Sequence, residues 1–179
     1  SELIGIKALS PLFEPNWSEI GELDAAIHLF RDWLDEQKIA GLSREVHRIA
    51  DLSPVLIVTI EGTGPGEVIF YSHLDKQPST PELWSEGLHP LKAVRRDPWL
   101  YGRGSVDDGY GGYLCATSIR LLQEANIPHP RCIMIIETCE ESGSFDLPPY
   151  LHELTDHLGN PDMIVVCLLY TSPSPRDSD

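Results

Sequence analysis

Short apolar runs that alternate with helix-forming segments constrain the fold of this 179-residue chain more than any other sequence feature. Residues 55–60 and 132–136 are almost continuously apolar, and the ranges 68–71 and 163–168 have a similar composition. Such runs are typical of strands that are buried on both faces, as in parallel sheets. The pattern predicts a three-layer α/β fold in which a largely parallel, mixed sheet carries helices on both faces.

The segments between these runs predict the covering helices. The first is expected to begin at a Ser18 cap and to run to about Ala40, stopping at Gly41. Its apolar positions recur at helical spacing: Ile20, Leu23, Ile27, Phe30 and Leu34. A second helix is expected to open at glycines 109–112, and a third to span 147–158 with two prolines in its first turn.

Two loops separate the predicted strands. The glycine-rich loop 62–66 joins 55–60 to 68–71, which predicts that these two form a hairpin or are neighbours. The segment 78–98 contains four prolines and predicts a long loop, which in compact domains is usually functional or mobile. A short strand is expected just after it, at 99–101.

Composition excludes several classes of partner. The net charge of −15 disfavours binding to nucleic acid and to anionic membranes. No apolar run approaches the roughly 20 residues of a membrane helix, and the N-terminus lacks the pattern of a signal peptide. The four cysteines lack C-x-x-C spacing, which predicts reduced thiols and a cytoplasmic protein.

Acidic and imidazole groups follow three separate predicted strands. The pairs are His73 and Asp75 after 68–71, Asp107 and Asp108 after 99–101, and Glu140 and Glu141 after 132–136. Taken singly, each pair has an ordinary explanation as a capped turn, a helix N-terminus or a solvated surface. Active sites of parallel sheets lie at the carboxyl ends of the strands, so the three pairs together predict one site there.

A cluster of carboxylates requires a counter-charge. Two like charges about 4 Å apart repel by about 4 kcal/mol at an effective dielectric constant near 20. A divalent cation would remove this repulsion. Because His73 adds an imidazole nitrogen to carboxylate oxygens, zinc is the first expectation, with cobalt or manganese as alternatives.

Three motifs carry a resemblance to a known family. They are "SHLDKQP" at 72–78, "YGRGSVDDG" at 101–109 and "ETCEESGS" at 137–144. In this order they resemble the two-zinc exopeptidases and amidohydrolases that include carnosinase-type dipeptidases, aminoacylase, acetylornithine deacetylase and glutamate carboxypeptidase. The resemblance extends over most of the chain up to Cys167.

The resemblance implies which side chains hold the two zinc ions. His73 would bind one zinc and Glu141 would bind the second. Asp107 would bridge both ions.

The resemblance also implies roles for the other members of the three pairs. Asp75 would hold the second N–H of the imidazole, which orients the ring and raises its basicity as a ligand. Asp108 would follow its neighbour through a cis peptide bond and support the ligands without binding metal. Glu140 would be the general base that acts on the bridging water.

The implied reaction is hydrolysis of a peptide or N-acyl amide bond by metal-activated water. The expected substrate is a small peptide or an N-acyl amino acid, and the intact protein is expected to be a homodimer. A non-catalytic fragment that acts only as a binding module is the second interpretation. A paired-carboxylate glycosidase is remote, because adjacent glutamates tend to point apart.

The sequence departs from the family pattern near its end. The family has a further acidic ligand after the strand that 163–168 resembles, where this chain has Leu168, Leu169 and Tyr170. We interpret 1–168 as a partial metallopeptidase catalytic domain and 169–179 as a non-native or disordered tail. This predicts weak metal affinity and little activity for the chain by itself.

Overall fold

The computed structural model describes residues 2–167, so the predicted tail 169–179 and the ligand position after 163–168 lie outside it. The helices are α1 (Glu2–Gly5), α2 (Trp17–Ile20), α3 (Glu22–Glu36), α4 (Gly111–Glu124), α5 (Leu147–Glu153) and α6 (Thr155–Leu158). The strands are β1 (Leu42–His47), β2 (Val55–Ile60), β3 (Glu67–His73), β4 (Val94–Arg96), β5 (Trp99–Tyr101), β6 (Arg131–Glu137) and β7 (Met163–Val166). Short 3-10 helices occur at Pro81–Leu83 and Glu140–Ser142.

A five-stranded mixed sheet forms the central layer, with the strand order β1-β2-β6-β3-β7. β3 is parallel to β6 and β7, whereas β2 is antiparallel to β1 and β6. The register pairs His73 with Glu137 at the carboxyl ends of β3 and β6. The segments that follow these two strands therefore leave the sheet side by side.

Helices cover both faces of the sheet, as predicted. Alternate residues of β6 point to opposite faces: Met134 and Ile136 pack in one core cluster with Phe30 and Ile119 of α3 and α4. Ile133 and Ile135 point to the other face and pack with Tyr150 and Leu158 of α5 and α6. Full burial of each such side chain contributes about 1.5–3 kcal/mol.

The prediction that 55–60 and 68–71 are neighbouring strands is wrong. β6 lies between β2 and β3, pairing Leu56 with Ile136 on one side and Ile69 with Ile133 on the other. β6 is buried along nearly its whole length, so pairing on both edges satisfies its backbone in the middle of the sheet.

The predicted strand 99–101 exists but does not join the central sheet. β5 pairs with β4 in a separate two-stranded sheet. Trp99 and Leu100 are 67% and 46% exposed, so β5 buries too little apolar surface for a central position. Asp107 and Asp108 consequently reach the site on the loop that precedes α4, and not from a strand of the main sheet.

The first predicted helix is divided in two. Gly21, with φ of +74°, ends α2 in the left-handed conformation, and its N–H donates to the carbonyl of Trp17. Ser18 lies inside α2 and does not cap the longer helix α3. α3 ends at Glu36, before Lys38 takes a φ of +53°, so the helix stops short of the predicted Ala40. The segment 147–158 likewise forms two helices, α5 and α6.

Within residues 2–167, no helix combines the length and apolarity needed to cross a membrane.

Candidate metal centre

Three side chains from separate segments converge at the carboxyl ends of β3 and β6. His73 is the last residue of β3, Asp107 lies on the loop before α4, and Glu141 lies on the 3-10 helix after β6. One ligand atom from each lies within 4.8 Å of the others. The Nε2 atom of His73 is 3.1 Å from Oδ1 of Asp107. One imidazole nitrogen and two carboxylate oxygens therefore face a common point.

Asp75 links the imidazole to the glutamate turn. Its carbonyl oxygen lies 3.1 Å from Nδ1 of His73, and its Oδ1 lies 3.3 Å from the same nitrogen. Its two carboxylate oxygens also accept hydrogen bonds from the backbone N–H groups of Glu140 and Glu141, at 3.2 and 2.9 Å. His73 and Asp75 are fully buried. Asp75 therefore fixes the ring and positions both glutamates.

Glu140 lies at the open side of the cluster. Its Oε2 is 3.6 Å from Nε2 of His73, and 29% of its side chain is exposed. Partial burial raises the pKa of Glu140, and the charges of Asp75 and Asp107 raise it further, while His73 opposes them. The carboxylate combines access to solvent with a proton affinity above that of an ordinary glutamate.

Asp108 supports the cluster from behind. The peptide bond between Asp107 and Asp108 is cis, as the resemblance implied. Oδ2 of Asp108 accepts the backbone N–H of His73 at 3.2 Å, and within residues 2–167 its buried Oδ1 has no hydrogen-bond partner. Burial raises the pKa of Asp108 to about 6. A Cβ at Gly111 would lie 2.8 Å from both of these oxygens, so only glycine permits this approach.

The electrostatics of the cluster favour a cation. Burial by itself lowers the pKa of His73, but hydrogen bonds to Asp107 and Asp75 and the charge of Glu140 raise it to about 11. Conversely, the hydrogen bond to His73 lowers the pKa of Asp107, although burial opposes it. The carboxylates thus favour the protonated, positively charged form of the imidazole. A bound metal ion would supply this positive charge in place of the proton.

The donor set fits a zinc-type ion. Zinc binds nitrogen and oxygen ligands at about 2.0–2.2 Å, so two ligands of one ion lie at most about 4.2 Å apart. The spacing of up to 4.8 Å is close to this limit, and small side-chain rotations would complete it.

The structure contains a polar network beside the site that the sequence analysis did not predict. Glu137 is 1% exposed, and its Oε1 accepts hydrogen bonds from the hydroxyls of Tyr71 and Ser144, the latter at 2.8 Å. Its Oε2 has no partner among the described residues. The network ties β3 and β6 to the turn that follows Glu140 and Glu141. Its only sequence signal is an acidic residue at the end of an otherwise apolar run.

The chain belongs to the peptidase family M20/M25/M40, whose family model matches residues 69–178, more than half of its length. This confirms the resemblance inferred from the three motifs. A curated relative, an uncharacterised metallohydrolase of Methanocaldococcus jannaschii, is 25% identical over 184 residues, which cover 97% of this chain and 43% of that protein.

Solved structures show the same fold. An M20 family metallo-carboxypeptidase of Sulfolobus solfataricus aligns with a TM-score of 0.78 at 20% identity, over 92% of this chain and 35% of that one. Human carnosine dipeptidase 1 aligns with a TM-score of 0.71 at 24% identity, over 92% of this chain and 36% of that one. The dipeptidase Dug1p of Saccharomyces cerevisiae aligns with a TM-score of 0.71 at 19% identity, over 92% of this chain and 36% of that one. The chain therefore spans less than half the length of each relative.

Proposed function

We propose that this chain supplies part of the active site of a metal-dependent hydrolase that cleaves a peptide or N-acyl amide bond. The observation that carries the proposal is the convergence of His73, Asp107 and Glu141 within 4.8 Å of one another. Membership of a metallopeptidase family supports it. The relatives named as dipeptidases and carboxypeptidases support a small peptide or an N-acyl amino acid as substrate.

His73, Asp107 and Glu141 would hold the metal, with Asp107 between two ions. When bound, zinc lowers the pKa of a water molecule and polarises a carbonyl group. Asp75 accepts the Nδ1–H of His73, which fixes the tautomer and leaves Nε2 free as a ligand. The same aspartate holds the backbone of the glutamate turn, so ligand and turn share one support.

Glu140 would be the general base. Its Oε2 lies 3.6 Å from Nε2 of His73, at the opening where water and substrate would meet. It would remove a proton from the attacking water and return that proton to the nitrogen of the departing amine as the C–N bond breaks. A carboxylate at this position can accept a proton and then release it.

The rest of the active site would come from polypeptide that this chain lacks. The chain spans 43% or less of each relative reported above, and this supports a partial catalytic domain. We place this partial domain at 1–168 and the tail 169–179 outside it. We expect the intact protein to bind two zinc ions, or cobalt or manganese, and to act as a homodimer. This chain by itself would bind metal weakly.

Two neighbouring substitutions test the assignment. Glu141→Gln should weaken zinc binding to the chain at least tenfold in a titration against a competing chelator, whereas Glu140→Gln should leave it within twofold. In the full-length protein, screened with dipeptides and N-acyl amino acids in the presence of zinc, Glu140→Gln should lower turnover by about 10²–10⁴-fold. Equal turnover in that variant would reject Glu140 as the base, and zinc binding without any turnover would favour the non-catalytic binding module.

A further inference from the structure

The N-terminal segment, residues 8–12, lies between two of the loops that carry the candidate metal ligands. On one side it pairs with Lys76, which comes three residues after His73. On the other side it contacts Ser142, the residue that follows Glu141. The segment is not a strand of the central sheet. It therefore connects the loop after β3 with the glutamate turn after β6.

Lys76 anchors the segment to the loop after β3. Its backbone N–H donates to the carbonyl of Ala8 at 2.9 Å, and its carbonyl accepts the N–H of Ser10 at 3.1 Å. Its side chain is buried, and the ammonium donates to the carbonyls of Leu3 and Ile6, both at 2.6 Å. These hydrogen bonds fix the path of the backbone from α1 into the segment.

Ser142 receives two contacts from the segment. Its Oγ accepts the backbone N–H of Leu12 at 2.9 Å and lies 2.6 Å from Oγ of Ser10. Ser10 is fully buried, so its hydroxyl needs a partner within the protein. Leu12 is 65% exposed, so burial of its side chain does not explain the contact that its backbone makes. The hydroxyl of Ser142 is therefore the point at which the segment holds the turn.

The backbone of the segment has an unfavourable conformation. Ala8 has a φ of +39°, on the side of conformational space that a residue with a Cβ rarely adopts. Ala8 is also fully buried, and its carbonyl is the acceptor for the N–H of Lys76. Such strain persists only where the surrounding contacts impose it, and it is concentrated at functional sites. The strain at Ala8 is thus a second, independent indication that the position of the segment matters to the site.

Ser142 is closely connected to both glutamates. It is the last residue of the 3-10 helix Glu140–Ser142, which also contains Glu141. Its N–H donates to the carbonyl of Cys139 at 3.2 Å, and the N–H of Gly143 donates to the carbonyl of Glu140 at 2.7 Å. Because these bonds close a single tight turn, a shift of Ser142 would move the two glutamates with it.

We propose that Ser142 is a positioning residue, through which the N-terminal segment sets the place of Glu141 at the metal centre and of Glu140 beside it. Asp75 holds the turn through the backbone N–H groups of the two glutamates, and the segment holds it through the hydroxyl of Ser142. Ser142 acts through Glu141 and does not itself bind the metal. The inference rests on the proposed function, since it names a further residue that serves the same site.

The first experiment tests the contact in the metal-free chain. Amide hydrogen exchange at Leu12 is followed by NMR in the wild type and in Ser142→Ala. The wild-type N–H should be protected, and it should exchange about tenfold faster in the variant, because its acceptor is gone. Ser142→Thr keeps the hydroxyl and should restore the protection. Equal exchange in the wild type and in Ser142→Ala would overturn the inference.

The second experiment measures the effect of the contact on zinc binding at His73. Ser142 acts one residue away from the ligand, so Ser142→Ala should weaken zinc binding by about three- to tenfold, less than the loss of a group that bonds a ligand directly. Ser142→Thr should bind zinc as the wild type does. Chelator competition measures the affinity of each variant.

Thr59→Val is the control for a general loss of stability. Thr59 is buried, and its hydroxyl lies 3.0 Å from Nε2 of His157. It pairs with Ile133 in the first half of β6, away from the metal centre. This variant should leave the zinc affinity unchanged even where it lowers the free energy of unfolding. Equal losses of zinc affinity in Thr59→Val and Ser142→Ala would overturn the positioning role.

Ser10→Ala separates the two contacts that Ser142 makes with the segment. It removes only one of them, so it should weaken zinc binding less than Ser142→Ala does. The double variant should lose no more affinity than Ser142→Ala alone, because both substitutions break the same contact. Additive losses would show that the two serines act independently and would overturn the inference. Unchanged zinc affinity in Ser10→Ala would overturn it as well, whether or not Ser142→Ala folds.

The zinc titration also separates this inference from the proposed function. If zinc shifts the Nε2 resonance of His73 equally in the wild type and in Ser142→Ala, at the same zinc concentrations, the positioning role is wrong and the metal centre stands. If zinc leaves His73 unchanged in the wild type, the proposed function is wrong and the positioning role is rejected with it.

Discussion

The carboxylate of Asp75 accepts the backbone N–H of Glu141 at 2.9 Å. The same carboxylate lies 3.3 Å from Nδ1 of His73. One buried acid therefore connects the imidazole at the end of β3 with the glutamate turn after β6. Any movement of Asp75 would displace two candidate metal ligands together, which makes it the support of the site.

Asp75→Asn should lower zinc affinity by about 10–100-fold with little change in fold. The amide keeps one acceptor oxygen but cannot accept both backbone N–H groups of the turn, and it lacks the charge that holds the imidazole. Chelator competition measures the affinity, and circular dichroism checks the fold. Asp162→Asn is the matched control, because Asp162 accepts the backbone N–H of Glu67 at 3.0 Å at the opposite end of β3. Equal losses in both variants would show that Asp75 acts only on stability.

Gly111→Ala should destabilise the chain by about 1–3 kcal/mol. The added methyl group would lie 2.8 Å from both carboxylate oxygens of Asp108 and from Oγ of Ser72, so these groups must shift. Urea unfolding measures the free energy of unfolding. Gly5→Ala is the control, since a Cβ there meets no atom within 4 Å. A stability of Gly111→Ala equal to that of the wild type would contradict the tight approach.

Phe30→Ala should lower the free energy of unfolding by about 3–5 kcal/mol. Phe30 is fully buried and packs edge-on against Tyr113, with ring centroids 4.8 Å apart. Phe145→Ala should change stability by no more than about 0.5 kcal/mol, because Phe145 is 56% exposed. Similar losses in the two variants, measured by urea unfolding, would contradict the assignment of this core.

Lys76 should make stability depend on pH. Its ammonium donates to the carbonyls of Leu3 and Ile6, both at 2.6 Å, and burial lowers its pKa from 10.5 to about 8. Between these values the folded chain has lost a proton that the unfolded chain keeps. The free energy of unfolding therefore rises with pH in this window, by up to about 1.4 kcal/mol per unit.

The comparison with Lys76→Met isolates this contribution. The difference in the free energy of unfolding between wild type and variant should be constant below pH 8. It should then grow in favour of the wild type up to about pH 10, as measured by urea unfolding at each pH. A difference that is independent of pH would contradict the lowered pKa.

The sequence predicts those parts of the structure that local composition determines. The strands 55–60 and 132–136 are apolar on both faces, and their burial in the centre of the sheet follows from that property. The convergence of His73 and Glu141 could be expected because they lie at the carboxyl ends of β3 and β6, and active sites of such sheets lie at the strand ends. This reasoning does not account for Asp107, because β5 lies outside the main sheet.

The parts of the structure that the sequence does not predict depend mainly on contacts between residues far apart in the chain. β6 enters between β2 and β3, and no local pattern distinguishes this order from a hairpin across 62–66. The placement of β5 outside the main sheet depends on its partner β4, which has only three residues. The predicted first helix is divided into α2 and α3 because Gly21 takes a left-handed conformation. The sequence does not indicate this division, since the amphipathic pattern continues on both sides of Gly21.

Zinc titration of the chain, followed through the ring nitrogens of its seven histidines by NMR, shows whether His73 binds metal. Zinc is expected to shift Nε2 of His73 while Nδ1 stays protonated toward Asp75, and Asp107→Asn and Glu141→Gln should each weaken this effect. Weak binding does not hide the response, because chemical shifts report it at millimolar zinc. If zinc perturbs other histidines and leaves His73 unchanged, the metal centre does not lie at His73, Asp107 and Glu141.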